Sequence, residues 1–285
     1  MPLISLIAPR GNLGAALVSS LQGAFGATGD ALWLSPDEAA EFPVTQRPSN
    51  FDEVRKTVSG QHVDLNFVDD ANRRKSLLIA DMDMTMIGQE CIDELAAEAG
   101  VGERVAEITV RAMNGELNFD DAVLERVDLL KDLEAAVIEN VLNTRITLAP
   151  GGKTLVQTMK KHGAHTALVS GGFIQFAENV ATQIGFDEAH ANRLLIENGK
   201  LTGEVARPIL GRDAKVEQLT RLSPDTSKAI AIGDGANDLG MIEKAGMGVA
   251  THAKPIVAEA APYAINHGDL RGCLFLQGYS IADFT

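Results

Sequence analysis

Cysteine, basic charge and long apolar runs are all scarce in this 285-residue chain. Its two cysteines, Cys91 and Cys273, stand far apart and do not form a metal-type pair, which favours a reducing, cytoplasmic setting. Lys and Arg total 25 against 39 Asp and Glu, a net charge of −14. That balance argues against nucleic acid or an anionic membrane surface as partner, and any anion site must supply its own local positive field. No stretch approaches a membrane span. The short apolar run Leu3 to Ala8 has no basic residue before it, which is too little for a signal peptide.

What the chain does carry is 45% hydrophobic residues, ample for a core, and carboxylates at the ends of apolar runs. Ser76-Leu77-Leu78-Ile79-Ala80 reads as a buried strand of a parallel sheet and delivers Asp81-Met82-Asp83-Met84-Thr85 at its C-terminal end, where open α/β sheets bind ligands. Two carboxylates about 4 Å apart repel by roughly 4 kcal/mol at an effective dielectric near 20, so the arrangement requires a cation, a shared proton or both. Two further runs end alike. His165 to Val169 leads into Ser170-Gly171-Gly172, and Ala229 to Ile232 leads into Gly233-Asp234-Gly235-Ala236-Asn237-Asp238. Each is expected to stop at a small, Gly-containing turn that lets the backbone come close to a ligand. Were the three strands neighbours in one parallel sheet, Asp81, Asp83, Ser170, Asp234 and Asp238 would converge on one edge, with Lys215 adding a cation.

DxDxT, serine after an apolar strand, lysine and then GDGxND resemble, in that order, the four signature motifs of the haloacid dehalogenase superfamily of phosphotransferases. DMDMTMIGQECIDELA, ITVRAMNGELNFDDAVLERVDLLKDL, LVSGGF and IAIGDGANDLGM resemble its phosphoserine phosphatase branch over roughly residues 74 to 270. Met82 and Met84 stand where that branch leads one to expect Phe and Ser, and neither position's backbone role forbids them. The resemblance implies an α/β fold: a Rossmann-like core with a parallel sheet, an inserted helical cap and a small N-terminal α+β, ACT-like domain.

The spacing agrees. Asp81 and Ser170 lie 89 residues apart, whereas a strand, helix, strand crossover takes about 30 or somewhat more, so something is inserted. Helical periodicity in Ile92, Leu95, Ala96 and Ala99, and again in Val123, Val127, Leu130 and Leu133, marks an inserted cap at about 88–147. Residues 1–73 alternate between strand and helix signals: Leu3 to Ile7, a helical Leu13 to Phe25, Ala31 to Leu34, a helical Asn50 to Val58, and His62 to Phe67. They suit a βαββαβ-like module, closed by the polar, basic linker Ala71 to Lys75. Residues 74–285 hold the core and its cap.

The resemblance also implies chemistry. Asp81 is the expected nucleophile, forming an aspartyl-phosphate that splits one hard hydrolysis into two easier steps. Asp83 is the acid for the departing serine oxygen and then the base for water. Mg2+ is the expected cofactor, with Asp81 and Asp234 ligating through side chains and Asp83 through its backbone carbonyl, while Asp238 orients bound water or Lys215. Ser170, the Gly171 amide and Lys215 hold the phosphate, with Asn237 nearby. Glu90 reads the substrate ammonium, Arg126 its carboxylate, and Met113 and Phe119 form an apolar wall. The implied substrate is O-phospho-L-serine, with no nucleic-acid or membrane partner; the oligomeric state stays open, a homodimer among the options.

Blander readings compete with these. Paired aspartates often cap a helix after a strand, but not together with Ser170, Lys215 and Asp234. An EF-hand loop fails because Met86 and Ile92 occupy its glycine and glutamate positions. Gly151-Gly152-Lys153-Thr154 lacks the first glycine of a P-loop, which falls on Thr147, and reads as a helix start; Gly11-Asn12-Leu13-Gly14 lacks the dinucleotide fingerprint. Cys91 reads as a small buried hydrophobe and His252 as structural. Arg126 has no carboxylate three or four residues away on its own helix, so its guanidinium needs an outside partner. Glu90 could instead serve the helix macrodipole. A phosphotransferase to an acceptor alcohol, a phosphatase for another small phosphorylated acid, or a non-catalytic sensor are the alternative functions. An intact Asp81 and Asp83 argue against the sensor.

Overall fold

A computed structural model describes residues 1–113 and 116–285, the side chain of Met113 excepted. The chain packs as two compact units: Met1–Ile79 with Pro150–Thr166 and Leu219–Thr285, and Ala80–Ala149 with Ala167–Gln218.

In the first unit, β1 (Pro2–Ile7), α1 (Ala15–Phe25), β2 (Leu32–Ser35), β3 (Ala39–Pro43), α2 (Phe51–Ser59) and β4 (Asp64–Asp69) form the expected βαββαβ order, with an antiparallel sheet ordered β2-β3-β1-β4. Strand alternation places Ile4, Leu6, Ala40, Phe42 and Leu65 on one face. They join Val18, Leu21, Phe25, Phe51 and Val58 of the helices in one apolar cluster. The strand β3 carries no β-branched residue, which is why its run AAEFP gives little signal by itself.

The opposite face of this sheet is polar and nonetheless buried, with Ser5, Glu41, Asp64 and Asn66 all under 5% exposed. Buried polar groups are costly unless hydrogen-bonded, and here Asn66 and Asp64 find partners in the C-terminal segment and Glu41 in Arg73, while Ser5 Oγ has none among the described residues. Asn66 donates to the Ala264 carbonyl at 3.0 Å and accepts from the Ala264 N–H at 2.9 Å, imitating one rung of a strand ladder. Asp64 accepts the N–H groups of Asn266, His267 and Gly268 at 2.8, 3.0 and 3.0 Å. Glu41 takes a bidentate pair from Arg73 at 2.7 and 2.8 Å, and Glu38 pairs with Arg271 at 2.6 Å. The basic segment 71–75 is therefore clamped: besides Arg73, Arg74 lies 4.2 Å over the Tyr279 ring and Lys75 donates to the Ser227 carbonyl at 2.8 Å.

Beyond it come β5 (Leu77–Ala80), the inserted helices α3 (Cys91–Glu98), α4 (Gly102–Met113), α5 (Phe119–Asp128) and α6 (Ala136–Thr144), then α7 (Gly152–Lys161) and β6 (His165–Phe173). The two ends of the inserted segment meet. Ile87 bridges Leu148, Gly88 N–H donates to the Thr147 carbonyl at 3.0 Å, and the Gln89 amide makes two bonds to Thr147. The helix α7 starts at the Gly-Gly of the P-loop mimic, as expected.

The chain continues through α8 (Ile174–Ile184), β7 (Glu188–Asn192), the hairpin β8 (Leu194–Glu197) and β9 (Lys200–Val205), and α9 (Arg212–Leu222). It ends with β10 (Ala229–Gly233), α10 (Leu239–Lys244), β11 (Met247–Thr251), α11 (Pro255–Ala260), β12 (Tyr263–Ile265) and α12 (Gly272–Leu276). A six-stranded sheet runs in the order β12-β11-β10-β5-β6-β7, with parallel ladders between β10 and β11, β11 and β12, and β6 and β7. The three strands carrying the motifs are thus neighbours.

One expectation needs correcting. Ser170-Gly171-Gly172 is not a turn that ends its strand, because β6 continues to Phe173. Its register against β7 shifts between Val169, opposite His190, and Phe173, opposite Asn192, so three residues bulge where the partner has one. Two successive glycines make that detour feasible.

The buried Glu41–Arg73 pair gives a stability test. Glu41→Ala should cost about 3–5 kcal/mol in urea unfolding, because it removes the bidentate partner of a largely buried guanidinium and leaves it only the exposed Asp70 at 3.1 Å, whereas Glu41→Leu with Arg73→Met should recover most of the loss. A cost below about 1 kcal/mol for the single change, the range of exposed pairs, would mean that this face is solvated.

Candidate active site

Within the second unit, Asp81 leaves the end of β5 and meets the ammonium of Lys215, whose Nζ lies 2.6 Å from Asp81 Oδ1. Lys215 is fully buried, in the first turn of α9. A buried ammonium is tolerable only beside an anion, and the pair accounts for both residues' position. It also answers the electrostatic problem posed by two neighbouring aspartates.

Asp83 is held at both oxygens. Its Oδ1 accepts the Cys91 N–H at 2.9 Å, the first amide of α3, so the carboxylate caps a helix whose own N-cap residue, Glu90, does not. Its Oδ2 accepts the Ser170 hydroxyl at 3.2 Å, and Ser170 Oγ in turn accepts the Gly172 N–H at 2.9 Å. A Cβ on Gly172 would collide with Asp83 Oδ2, so glycine there is a steric requirement. Burial raises the Asp83 pKa above the usual carboxylate range, opposed by the bonds from Cys91 and Ser170 and by Lys215. Such a shift suits a carboxyl that can hold and release a proton.

The two methionines of the motif differ. Met82 is wholly buried, while Met84 is exposed in the left-handed region at φ 54°, a conformation that costs a residue with a Cβ about 1 kcal/mol.

On the cap, Phe119 opens α5 behind its N-cap Asn118, whose side chain accepts from Asp121 N–H at 2.9 Å. The Phe119 ring lies against Gly171 and Gly211: a Cβ on Gly171 would sit 3.1 Å from its Cζ. Phe119 also borders a cavity of about 560 Å³ with Leu124, Arg212 and Ala214, a space lined by none of Asp81, Asp83, Ser170 and Lys215. Arg126 is half-buried and donates from Nε to the Ala122 carbonyl at 3.0 Å. Burial lowers its pKa, and the carboxylates of Glu90, Asp93 and Asp83 pull it back up. Arg126 and Glu90 are therefore electrostatic neighbours. The contribution of Asp93 escaped sequence reasoning because it comes from another helix. The side chain of Met113 lies outside the described residues.

In the first unit, Asp234 follows β10 and its carbonyl accepts Lys254 N–H at 3.2 Å. Asp238, fully buried, accepts Gly235 N–H at 3.0 Å, and Asn237 is half-buried. A Cβ on Gly233 would collide with the Asp238 carboxylate. Asp81, Asp234 and Asp238 are buried carboxylates that could hold a metal ion, and oxygen donors of this kind suit a hard divalent cation. Cys91 and Cys273 are buried thiols; burial pushes Cys273 up to about 12 and Cys91 upward as well. His252 is exposed, its N–H bonded to the Ile265 carbonyl at 2.8 Å.

Residues 78–243 match the haloacid dehalogenase-like hydrolase family. The chain belongs to that family. It is 44% identical over 207 residues to phosphoserine phosphatase of Archaeoglobus fulgidus, a match covering 70% of this chain and 59% of that protein. With phosphoserine phosphatase of Methanocaldococcus jannaschii it shares 41% identity over 206 residues, 71% of this chain and 97% of the relative. The crystal structure of a HAD family hydrolase from Salmonella enterica serovar Typhi superposes with a TM-score of 0.88 at 30% identity, covering 96% of this chain and 97% of that one. The match thus spans less than two thirds of the Archaeoglobus protein, while the Salmonella hydrolase resembles the chain along almost its whole length.

For a family member, the raised pKa of Asp83 has a stability consequence. A carboxyl whose folded pKa exceeds its unfolded value is favourable at low pH, and its ionised form costs stability as pH rises through the folded value. In metal-free protein at neutral pH, Asp83→Asn should therefore raise the Tm. The gap to wild type should open as pH rises from the unfolded carboxylate range. A Tm that falls would show that the ionised carboxylate is net stabilising there.

Proposed function

We propose that this chain is a phosphoserine phosphatase, hydrolysing O-phospho-L-serine to L-serine and phosphate through an aspartyl-phosphate on Asp81, the last step of L-serine biosynthesis. The observation that carries this reading is the buried Asp81–Lys215 pair beside Asp83 and Ser170, with Arg126 and Glu90 neighbouring each other on the cap. Identities of 44% and 41% to phosphoserine phosphatases support the choice of substrate. A cytoplasmic setting agrees with buried free thiols and with no helix long and apolar enough to cross a membrane among the described residues.

In this reading the substrate phosphate takes its donors from Ser170 Oγ, the Gly171 N–H and Lys215 Nζ, with Asn237 beside them. Asp81 attacks the phosphorus as the serine oxygen departs in line. Asp83 gives its proton to that oxygen, then takes one from the water that cleaves the acyl phosphate, the same group serving as acid and then base. Arg126 offers a planar fork to the substrate carboxylate and Glu90 an anion to its ammonium, with Phe119 and Met113 as the apolar wall. Mg2+ is the cofactor this reading calls for: Asp81 and Asp234 would hold it through their side chains and Asp83 through its backbone carbonyl, with Asp238 in support. Bound there, the ion would neutralise phosphate oxygens that otherwise repel a carboxylate nucleophile.

Phosphoserine turnover with Mg2+, stopped by chelation and absent in Asp81→Asn, tests the activity; near wild-type hydrolysis in that variant would sink the mechanism. Substrate choice is tested separately. Arg126→Ala should cost roughly 2–5 kcal/mol in kcat/KM for phosphoserine and much less for p-nitrophenyl phosphate, which has no carboxylate. Equal losses would move amino-acid recognition elsewhere.

A further inference from the structure

Asn192, the last residue of β7, is 3% exposed, and its side-chain amide is fully engaged by backbone. Its Nδ2 donates to the Gly171 carbonyl at 2.8 Å and to the Leu210 carbonyl at 3.1 Å, while its Oδ1 accepts the Leu210 N–H at 2.6 Å. Nothing in its sequence surroundings, EAHAN, marks it as more than the end of a strand.

Each contact reaches toward the phosphate end of the site. The Gly171 carbonyl and the Gly172 N–H belong to one planar peptide and point in opposite directions, so fixing the carbonyl fixes the N–H. That N–H donates to Ser170 Oγ, which donates to Asp83 Oδ2. The bulge at 170–172 has no regular ladder to hold it, and Asn192 faces Phe173 where the register resumes. On its other side, Leu210 immediately precedes Gly211, whose carbonyl accepts Lys215 N–H at 3.3 Å in the turn leading into α9. One amide thus ties the loop carrying Ser170 to the segment delivering Lys215.

We propose that Asn192 is a positioning residue for phosphate, setting the Gly171–Gly172 peptide and the Lys215 segment in register with each other. This rests on the reading that Ser170, Gly171 and Lys215 hold the phosphate. Asn192 contacts no reacting atom; it acts through the peptide plane and through Leu210. Removing it leaves two carbonyls and one N–H without this partner, and an oxyanion cradle displaced by a fraction of an ångström binds phosphate poorly.

The test compares wild type, Asn192→Ala and Asn192→Asp as Mg2+-loaded full-length proteins. Asparagine to aspartate keeps the shape and the acceptor for Leu210 but loses both donors, so it carries the comparison if the alanine variant folds badly. Both should lose about 10- to 100-fold in kcat/KM for phosphoserine. Inhibition by inorganic phosphate should weaken by about 10-fold or more, while product inhibition by L-serine, which engages the cap, stays within about 2-fold. A merely structural asparagine would lower the Tm and leave both inhibition constants of the folded fraction unchanged, or shift them equally; either result overturns the proposal. A wild type that binds phosphate but does not hydrolyse phosphoserine would fault the assigned function instead, and phosphate binding by calorimetry would still decide the role of Asn192.

Discussion

The site depends on holding an aspartate, Asp81, out of water at the end of a buried strand, next to a lysine that is itself wholly buried. Neither charge is tolerable alone: losing one partner of such a pair costs about 3–5 kcal/mol because the other is left uncompensated. The sheet supplies the rigidity, since Asp81 directly follows β5 and α9 places Lys215 within hydrogen-bond reach. The nearby carboxyl of Asp83 is managed differently, by a helix amide, a serine hydroxyl and a pKa raised by burial. Two aspartates separated by one residue are thereby given unlike environments, and unlike environments are what a nucleophile and a proton carrier need.

Much of this was legible in the chain. Three apolar runs leading into Asp81, Ser170 and Asp234 identified three neighbouring strands, and the long gap between the first two announced inserted helices. Periodicity could report these because burial on both faces of a central strand, and on one face of a helix, writes itself into local sequence. The bulge at Ser170 to Gly172 was not legible as a bulge, because two glycines are equally compatible with a turn. Asn192 was invisible for another reason. A buried asparagine is defined by backbone groups distant in sequence, and no local pattern encodes them. The same holds for the buried polar face of the N-terminal sheet, where Glu41, Asp64 and Asn66 alternate as a solvated face would, yet bond to Arg73 and to residues 264–268.

The cap and the core divide the work along lines the family membership makes intelligible. In the proposed reading, phosphate and proton chemistry sit on strand ends and one helix start. Arg126 and Phe119 sit on inserted helices and Glu90 at the start of one, in a segment whose two ends meet at residues 86–89 and 147–149. A site so arranged can change what it recognises without disturbing what it does.

The central claim, that Asp81 is a covalent nucleophile, is tested most directly by trapping the intermediate. The enzyme should be mixed with phosphate-labelled phosphoserine, quenched in acid within the first turnovers and digested for peptide mass analysis. One phosphoryl group on the peptide carrying Asp81, removable by hydroxylamine as acyl phosphates are and missing from Asp81→Asn, is the result the account predicts. Turnover without such a label, or a label that resides on Ser170 or another residue, would contradict it.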